Sequence, residues 1–130
     1  MRGYTSISAI ELKNWLNDGS IAIENLYAPT EDFVAANSDL DEEEIEFTLS
    51  MLAAEEALEV KDADTGAACV LAFEIPDEIR SSTSELCIQL SAPLKWEYLE
   101  CLFEVSEDGE ELTWFATQEV APTIAELLKK

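Results

Sequence analysis

Six carboxylates within eight residues are the densest group of chemically active side chains in the sequence: Asp39, Asp41, Glu42, Glu43, Glu44 and Glu46. Carboxylates in the first turn of a helix favour the positive end of its dipole, by about 0.3–1 kcal/mol for each well-placed group. So many in one turn also repel each other beyond what the dipole can use. Two interpretations stay open: a helix start with solvated carboxylates, and a docking surface for a basic protein partner. The predicted binding residues are Glu42, Glu43, Glu44 and Glu46.

A second acidic stretch lies between residues 97 and 111, where carboxylates alternate with the rings of Trp96, Tyr98 and Phe103. Alternation of this kind is typical of solvated acids outside and rings inside. Aromatic side chains surrounded by carboxylates can also form the rim of a binding hot spot, and no spacing here selects that option.

The chain contains no histidine, which limits the types of catalytic site that it can form. No Ser-His-Asp or Cys-His catalytic set and no His-ligated zinc can form. The four glycines are separated, so there is no Gly-rich phosphate loop. We predict no catalytic residue, no metal site and no cofactor.

The turn at residues 62–66, Asp-Ala-Asp-Thr-Gly, is the nearest approach to a metal-binding motif. An EF-hand loop with Gly66 at position 6 places Lys61 at position 1, Ala63 at position 3 and Phe73 at position 12, where oxygen ligands are required. We therefore interpret residues 62–66 as a surface turn without a metal-binding role. Carboxylates distant in sequence can still meet to hold Mg²⁺ or Mn²⁺, which leaves a carboxylate-dependent hydrolase or metal-binding enzyme as the alternative function.

The net charge of −22, from 29 acidic and seven basic residues, limits the classes of molecule that the protein can bind. The basic residues form no patch that follows a phosphate backbone, and the acidic field repels anionic membranes. We expect no direct nucleic-acid binding and no membrane association. No apolar run approaches the roughly 20 residues of a membrane span and no signal peptide opens the chain, which predicts a cytoplasmic location. Cys69, Cys87 and Cys101 are expected as reduced, buried thiols.

Helices and strands interleave along the chain. We predict helices over residues 8–18, from Thr30 to about residue 37, from about residue 41 to 60, and at the end with Pro122 in its first position. Strands are predicted over residues 4–7, 21–27, 67–75, 86–90 and 100–105, with a loop at residues 80–84. Asp108-Gly109 starts either a hairpin or a helix.

Caps and periodicity support the helices. Ser8 and Glu11 have the spacing of a capping box, and Thr30 is placed to cap the second helix. The third helix carries apolar residues on two sides, one with Leu49 and one with Phe47, which predicts packing between a sheet and neighbouring helices. We therefore expect an α/β fold in one domain, residues 1–130: a mixed sheet of four to five strands with three to five helices, or α+β as the alternative.

Several segments resemble a family of small, uncharacterised acidic proteins from actinobacteria, classified as a domain of unknown function. They are Arg2-Gly3-Tyr4 with Leu12, residues 27–30, residues 41–47 with Ala53-Ala54, and Ile75-Pro76-Asp77. The similarity extends to about Val105, and residues 107–130 depart from it. The resemblance supports the fold and implies no reaction, cofactor or catalytic residue. The function that we predict is a binding or interaction module.

Overall fold

The computed structural model describes residues 2–18, 20–21, 25–60, 68–83, 87–106 and 108–129. The strands in these ranges are β1 (Arg2–Ser8), β2 (Ser20–Ile21), β3 (Asn25–Tyr27), β4 (Ala68–Glu74), β5 (Arg80–Thr83), β6 (Cys87–Leu90), β7 (Leu94–Lys95), β8 (Leu99–Val105) and β9 (Leu112–Ala116). The helices are α1 (Ala9–Asp18), α2 (Glu31–Ala36), α3 (Glu42–Val60) and α4 (Thr117–Lys129). Two 3-10 turns occupy Asp77–Ile79 and Trp96–Tyr98.

Seven strands form one open antiparallel sheet in the order β5-β6-β3-β1-β4-β8-β9, and β2 pairs with β7 separately. In its centre β1 and β4 pair along their whole length, from Arg2 opposite Glu74 to Ser8 opposite Ala68. The predicted combination of helices and strands is confirmed, and the four described helices lie within the predicted three to five. The predicted strand number of four to five is wrong, and the pairing within the described sheet is antiparallel rather than mixed.

Helices cover both faces of the sheet, so β4 is buried on both sides. Leu71 and Phe73 belong to one core with Trp15 of α1 and with α4. Val70 and Ala72, which point to the opposite face, belong to a second core with α3. Because both faces are covered, β4 is a continuous apolar run, as predicted.

The first two helices begin at the predicted caps. The Ser8 hydroxyl oxygen accepts a hydrogen bond from the Glu11 N–H at 3.2 Å and donates to the Glu11 carboxylate at 3.2 Å. The Thr30 hydroxyl oxygen accepts from the Phe33 N–H at 3.1 Å. Each cap satisfies a backbone donor that the helix itself leaves unpaired.

The long helix α3 packs one side on the sheet. Leu49 and Ala53 are fully buried there. The predicted second packing side is wrong at Phe47, which is 64% exposed. The same side is buried at Ala54 and partly buried at Met51 and Leu58, so of the residues predicted for it only Phe47, nearest the start of the helix, is exposed.

Two strand predictions need correction. The loop predicted at residues 80–84 begins with an edge strand, β5, which pairs with β6; Ser84 lies outside the described residues. The residues of β5 show no alternation of apolar and polar types, because an edge strand buries few of its side chains. The single strand predicted at residues 21–27 corresponds to β2 and β3, which belong to different sheets, and residues 22–24 lie outside the described part.

The end of the chain follows the hairpin alternative. β8 and β9 are paired antiparallel, and Gly109 between them has a φ of 77°. The last helix begins at Thr117, earlier than predicted, so Pro122 lies inside it. The Glu119 carboxylate explains the earlier start, since it accepts a hydrogen bond from the Ala116 N–H at 3.0 Å.

Candidate functional site

A groove of about 700 Å³ lies between α2, the start of α3 and one end of the sheet. We call it the acidic groove. Its lining residues are Arg2, Pro29, Val34, Leu40, Glu42, Ile45, Glu46, Glu74 and Glu100. Four carboxylates and one guanidinium give the lining a formal charge of −3, and the remaining lining residues are apolar.

Arg2 is the only cation of this lining and is held in place by three neighbours. One terminal nitrogen is 3.6 Å from a Glu100 carboxylate oxygen, and the other donates to the Cys101 sulfur at 3.5 Å. The guanidinium carbon is 5.8 Å from the centre of the Tyr4 ring, within cation–π range. The one positive charge of the groove is therefore already matched by Glu100.

A β-bulge places Glu100 in the groove. Ala72 of β4 is opposite Cys101, whereas Phe73 is opposite Leu99, so Glu100 is an extra residue in β8. In a regular strand neighbouring side chains point to opposite faces. At this bulge Glu100 and Cys101 both reach Arg2.

A side chain of α4, that of Thr117, forms hydrogen bonds with the bulge. The Thr117 hydroxyl lies 2.9 Å from the Leu99 carbonyl oxygen and 3.0 Å from that of Glu100. A donor at this point binds carbonyl groups where the ladder is locally disrupted. The position of the Glu100 carboxylate therefore depends on a helix that follows it in the chain.

Glu44, one of the four predicted binding residues, has a structural role at the start of α3. The Asp41 carboxylate accepts from the Glu44 N–H at 2.8 Å, and the Glu44 carboxylate accepts from the Asp41 N–H at 3.4 Å. This is a reciprocal capping box. Glu44 does not line the acidic groove.

Glu42 and Glu46 do line the acidic groove, because they stand on the side of α3 that faces the sheet. On a helical wheel both lie within about 20° of the buried Ala53, whereas Glu44 lies about 180° from it. Further along the helix this row is filled by buried alanines. At the start of α3 the same row consists of carboxylates. The interface between α3 and the sheet is therefore apolar along the helix and becomes a charged groove at this end.

Glu43, the fourth predicted residue, is exposed and lines a neighbouring cavity with Glu46 and Phe47. The structure thus brings Glu42 and Glu46 together in one groove, places Glu43 beside it and directs Glu44 to the helix cap. Among the described residues, none of these four carboxylates forms an ion pair within 4.0 Å.

Burial changes the acidity of the groups behind Arg2. Burial raises the pKa of Tyr4 to about 12, and the Arg2 charge opposes this shift. Burial also raises the pKa of the Cys101 thiol, again against the influence of Arg2. A protonated thiol is a poor nucleophile. Cys69 and Cys101 are buried, as expected, whereas Cys87 is only partly buried, and none of the three is part of a disulfide among the described residues.

The sequence reasoning missed Arg2, Glu74 and Glu100 as members of the groove. Arg2 was counted among scattered basic residues, and Glu100 among the solvated acids of the second acidic stretch. In that stretch the rings of Trp96 and Tyr98 do pack against the core, as expected. The bulge that separates Glu100 from this pattern depends on strand register, for which the sequence of β8 alone carries no signal.

Among the described residues, no group of three histidine, cysteine or acidic side chains lies close enough to hold a metal ion. The alternative function, a carboxylate-dependent hydrolase, therefore gains no supporting site in that part of the chain. A separate finding concerns the helices: none of those described is long and apolar enough to cross a membrane.

The fold and the groove define an antiparallel open-sheet protein with helices on both faces and an acidic groove at one sheet end. The model of the Family of unknown function (DUF6912) matches residues 1–108, and the chain belongs to this family. The resemblance to a family of unknown function is thereby confirmed. Comparison with curated proteins and with solved structures found no match. The matched residues contain every residue that lines the acidic groove.

Proposed function

We propose that this protein is a binding module and that its acidic groove receives a basic segment of a partner protein. The observation that carries the proposal is the composition of the groove: four carboxylates and one guanidinium together with four apolar side chains. Because Arg2 is matched by Glu100, the charges of Glu42 and Glu46 are available to a partner.

The shape of the groove supports a side chain with an apolar stem and a cationic head. Ile45 is buried beneath it, and Val34 is 40% exposed on its wall. Lysine and arginine side chains combine a hydrocarbon stem with a charged end, so they match a lining of apolar and acidic side chains. The net charge of −22 adds long-range attraction that increases the rate of encounter with a basic partner.

Several properties belong to this proposal as predictions. The partner is a basic protein, with no direct binding to nucleic acid or to membranes. The protein is a single domain, is located in the cytoplasm and is of actinobacterial origin. It acts by binding, without a catalytic residue or a cofactor.

The test is the binding of a fluorescein-labelled lysine-rich peptide, measured by fluorescence anisotropy at low ionic strength. The variant Glu42→Gln/Glu43→Gln/Glu46→Gln neutralises the two carboxylates that α3 contributes to the groove and the adjacent Glu43, and it keeps the Asp41–Glu44 cap. The matched control replaces Asp18, Glu78 and Glu126 by the corresponding amides. These three residues are exposed, as are Glu42 and Glu43, whereas Glu46 is half-buried, and the control loses the same number of charges.

We expect the groove variant to bind about threefold to a hundredfold more weakly than the control, since each exposed ion pair contributes about 0.2–1 kcal/mol. Binding to the unaltered chain is expected to weaken as salt increases. Equal losses in the two variants would show that only net charge matters and would refute the groove as the site. Absence of peptide binding to the unaltered chain would refute the function.

A further inference from the structure

A second cavity of about 340 Å³ adjoins the acidic groove, with which it shares Arg2 and Glu46. We call it the aromatic pocket. Three rings and one aliphatic side chain line it, together with two carboxylates: Tyr4, Phe47, Phe103, Leu112, Glu43 and Glu46. Rings and carboxylates together are the groups that recognise organic cations.

One stripe of α3 forms a wall of this pocket. Glu43, Glu46, Phe47 and Ser50 all line it, at the i, i+3, i+4 and i+7 spacing of one helix face. Phe47 contributes little to the core, because 64% of its surface is exposed. Aromatic side chains are frequent anchor points at protein interfaces, and Phe47 stands beside two carboxylates that can pair with a cationic partner.

Arg2 provides an example, within the same chain, of a cation bound by an aromatic ring and a carboxylate. Its guanidinium lies over the Tyr4 ring at 5.8 Å and pairs with Glu100 at 3.6 Å. Phe47 and Glu43, which α3 contributes to the same pocket, offer a ring and a carboxylate of the same kinds. Guanidinium groups stack on rings and pair with carboxylates in a planar geometry, which an ammonium group does not reproduce.

We infer that the aromatic pocket binds the guanidinium group of an arginine side chain from the basic partner. This inference rests on the proposed function and names the side chain that the partner inserts. An apolar side chain in the pocket would desolvate Glu43 and Glu46 without a partner, whereas a guanidinium pairs with them. The charge of Arg2 does not repel the ligand strongly, because Glu100 neutralises it.

The test is an NMR titration of the full chain with N-acetyl-arginine methylamide. The corresponding citrulline compound, in which a neutral urea group replaces the guanidinium, is the ligand control. We expect saturable shifts of the backbone amides of Phe47, Ser50 and Leu112 with the arginine compound. The citrulline compound is expected to leave them nearly unchanged.

Variants identify the ring that is responsible. Phe47→Ala is expected to weaken binding about twofold to fivefold, the range of an exposed cation–π contact, and Phe47→Trp is expected to restore it. Ile10→Ala is the control, because Ile10 is also a large exposed apolar side chain, at 41%, and lies on α1, which packs on the other face of the sheet. Both alanine variants remove exposed side chains, so the fold is expected to persist.

The outcomes separate this inference from the proposed function. Equal binding of the citrulline or the corresponding lysine compound, equal effects of Phe47→Ala and Ile10→Ala, or no binding of the arginine compound would each overturn the inference. If the lysine-rich peptide still binds through Glu42 and Glu46, the proposed function stands without it. If only the arginine compound binds, in a Phe47-dependent way, the pocket stands and the protein-binding function falls.

Discussion

Stability at alkaline pH should depend on one buried tyrosine beside the groove. Tyr4 is 2% exposed, and burial raises its pKa to about 12, although the Arg2 charge opposes the shift. An unperturbed tyrosine has a pKa of about 10. Because the folded pKa lies above the unfolded one, neutral Tyr4 stabilises the fold fully below about pH 10. This contribution is lost as the pH rises through about 12.

The size of the loss follows from the two pKa values. At about pH 11 a tyrosine in the unfolded chain is largely ionised, whereas folded Tyr4 is largely protonated. Linkage then favours unfolding about tenfold, or by about 1.4 kcal/mol, relative to about pH 9. This is a measurable fraction of the 5–15 kcal/mol that is typical of a folded domain.

The assay is urea unfolding of the unaltered chain and of Tyr4→Phe at about pH 9 and about pH 11, followed by tryptophan fluorescence. We expect the unaltered chain to lose about 1.4 kcal/mol more than Tyr4→Phe between the two pH values. Tyr27, whose pKa is also raised to about 12 by burial and by its hydrogen bond to Glu56, contributes equally to both proteins and cancels. Equal losses in the two proteins would refute the assignment of the shift to Tyr4.

Three further predictions concern the elements that position the groove, and each is checked by urea unfolding at neutral pH. Leu49→Ala is expected to cost about 2–5 kcal/mol, because Leu49 is fully buried, whereas Phe47→Ala should change stability by less than about 0.5 kcal/mol; similar losses would contradict the exposed position of Phe47. Gly109→Ala is expected to cost about 1–2 kcal/mol, since φ is 77° and a Cβ would lie 2.9 Å from Leu58; unchanged stability would contradict the hairpin geometry. Thr30→Ala should cost about 1 kcal/mol through loss of the α2 cap, and Thr30→Ser should retain most of it; equal stability of the two variants would count against the cap.

Elements with a strong local signal could be predicted from the sequence. The run of apolar residues in β4 is long enough to require burial on both faces, and the structure buries it there. The Ser8 and Thr30 caps combine a side-chain acceptor with a nearby backbone donor, which is a local interaction. For the same reason the start of α3 at its acidic turn was predicted to within one residue.

Elements that depend on distant partners could not be predicted in this way. β5 becomes a strand because β6 provides a ladder for its polar backbone, and its own side chains carry no apolar pattern. α4 begins at Thr117, where the Glu119 carboxylate accepts from the Ala116 N–H and the Thr117 hydroxyl bonds to carbonyl groups of β8, which are 17 and 18 residues earlier in the chain. The bonds to β8 are the part of this start that the local sequence does not show. Pro122 lies inside the helix, although a proline there removes one N–H donor and crowds the carbonyl group four residues earlier.

The candidate site also has a part that the local sequence predicts and a part that it does not. The part contributed by α3 could be predicted from the sequence. Helical periodicity places Glu46 and Glu42 within about 20° of Ala53 and places Glu44 about 180° away. Treating the acidic turn as one surface therefore combined two kinds of carboxylate: one that caps the helix and faces outward, and one that continues the buried row over the sheet end. Only the second kind can share a groove with residues of the strands. Which strand residues complete the groove depends on the register of β1 with β4 and on the bulge of β8, which bring together Arg2 and Glu100, 98 residues apart in the chain.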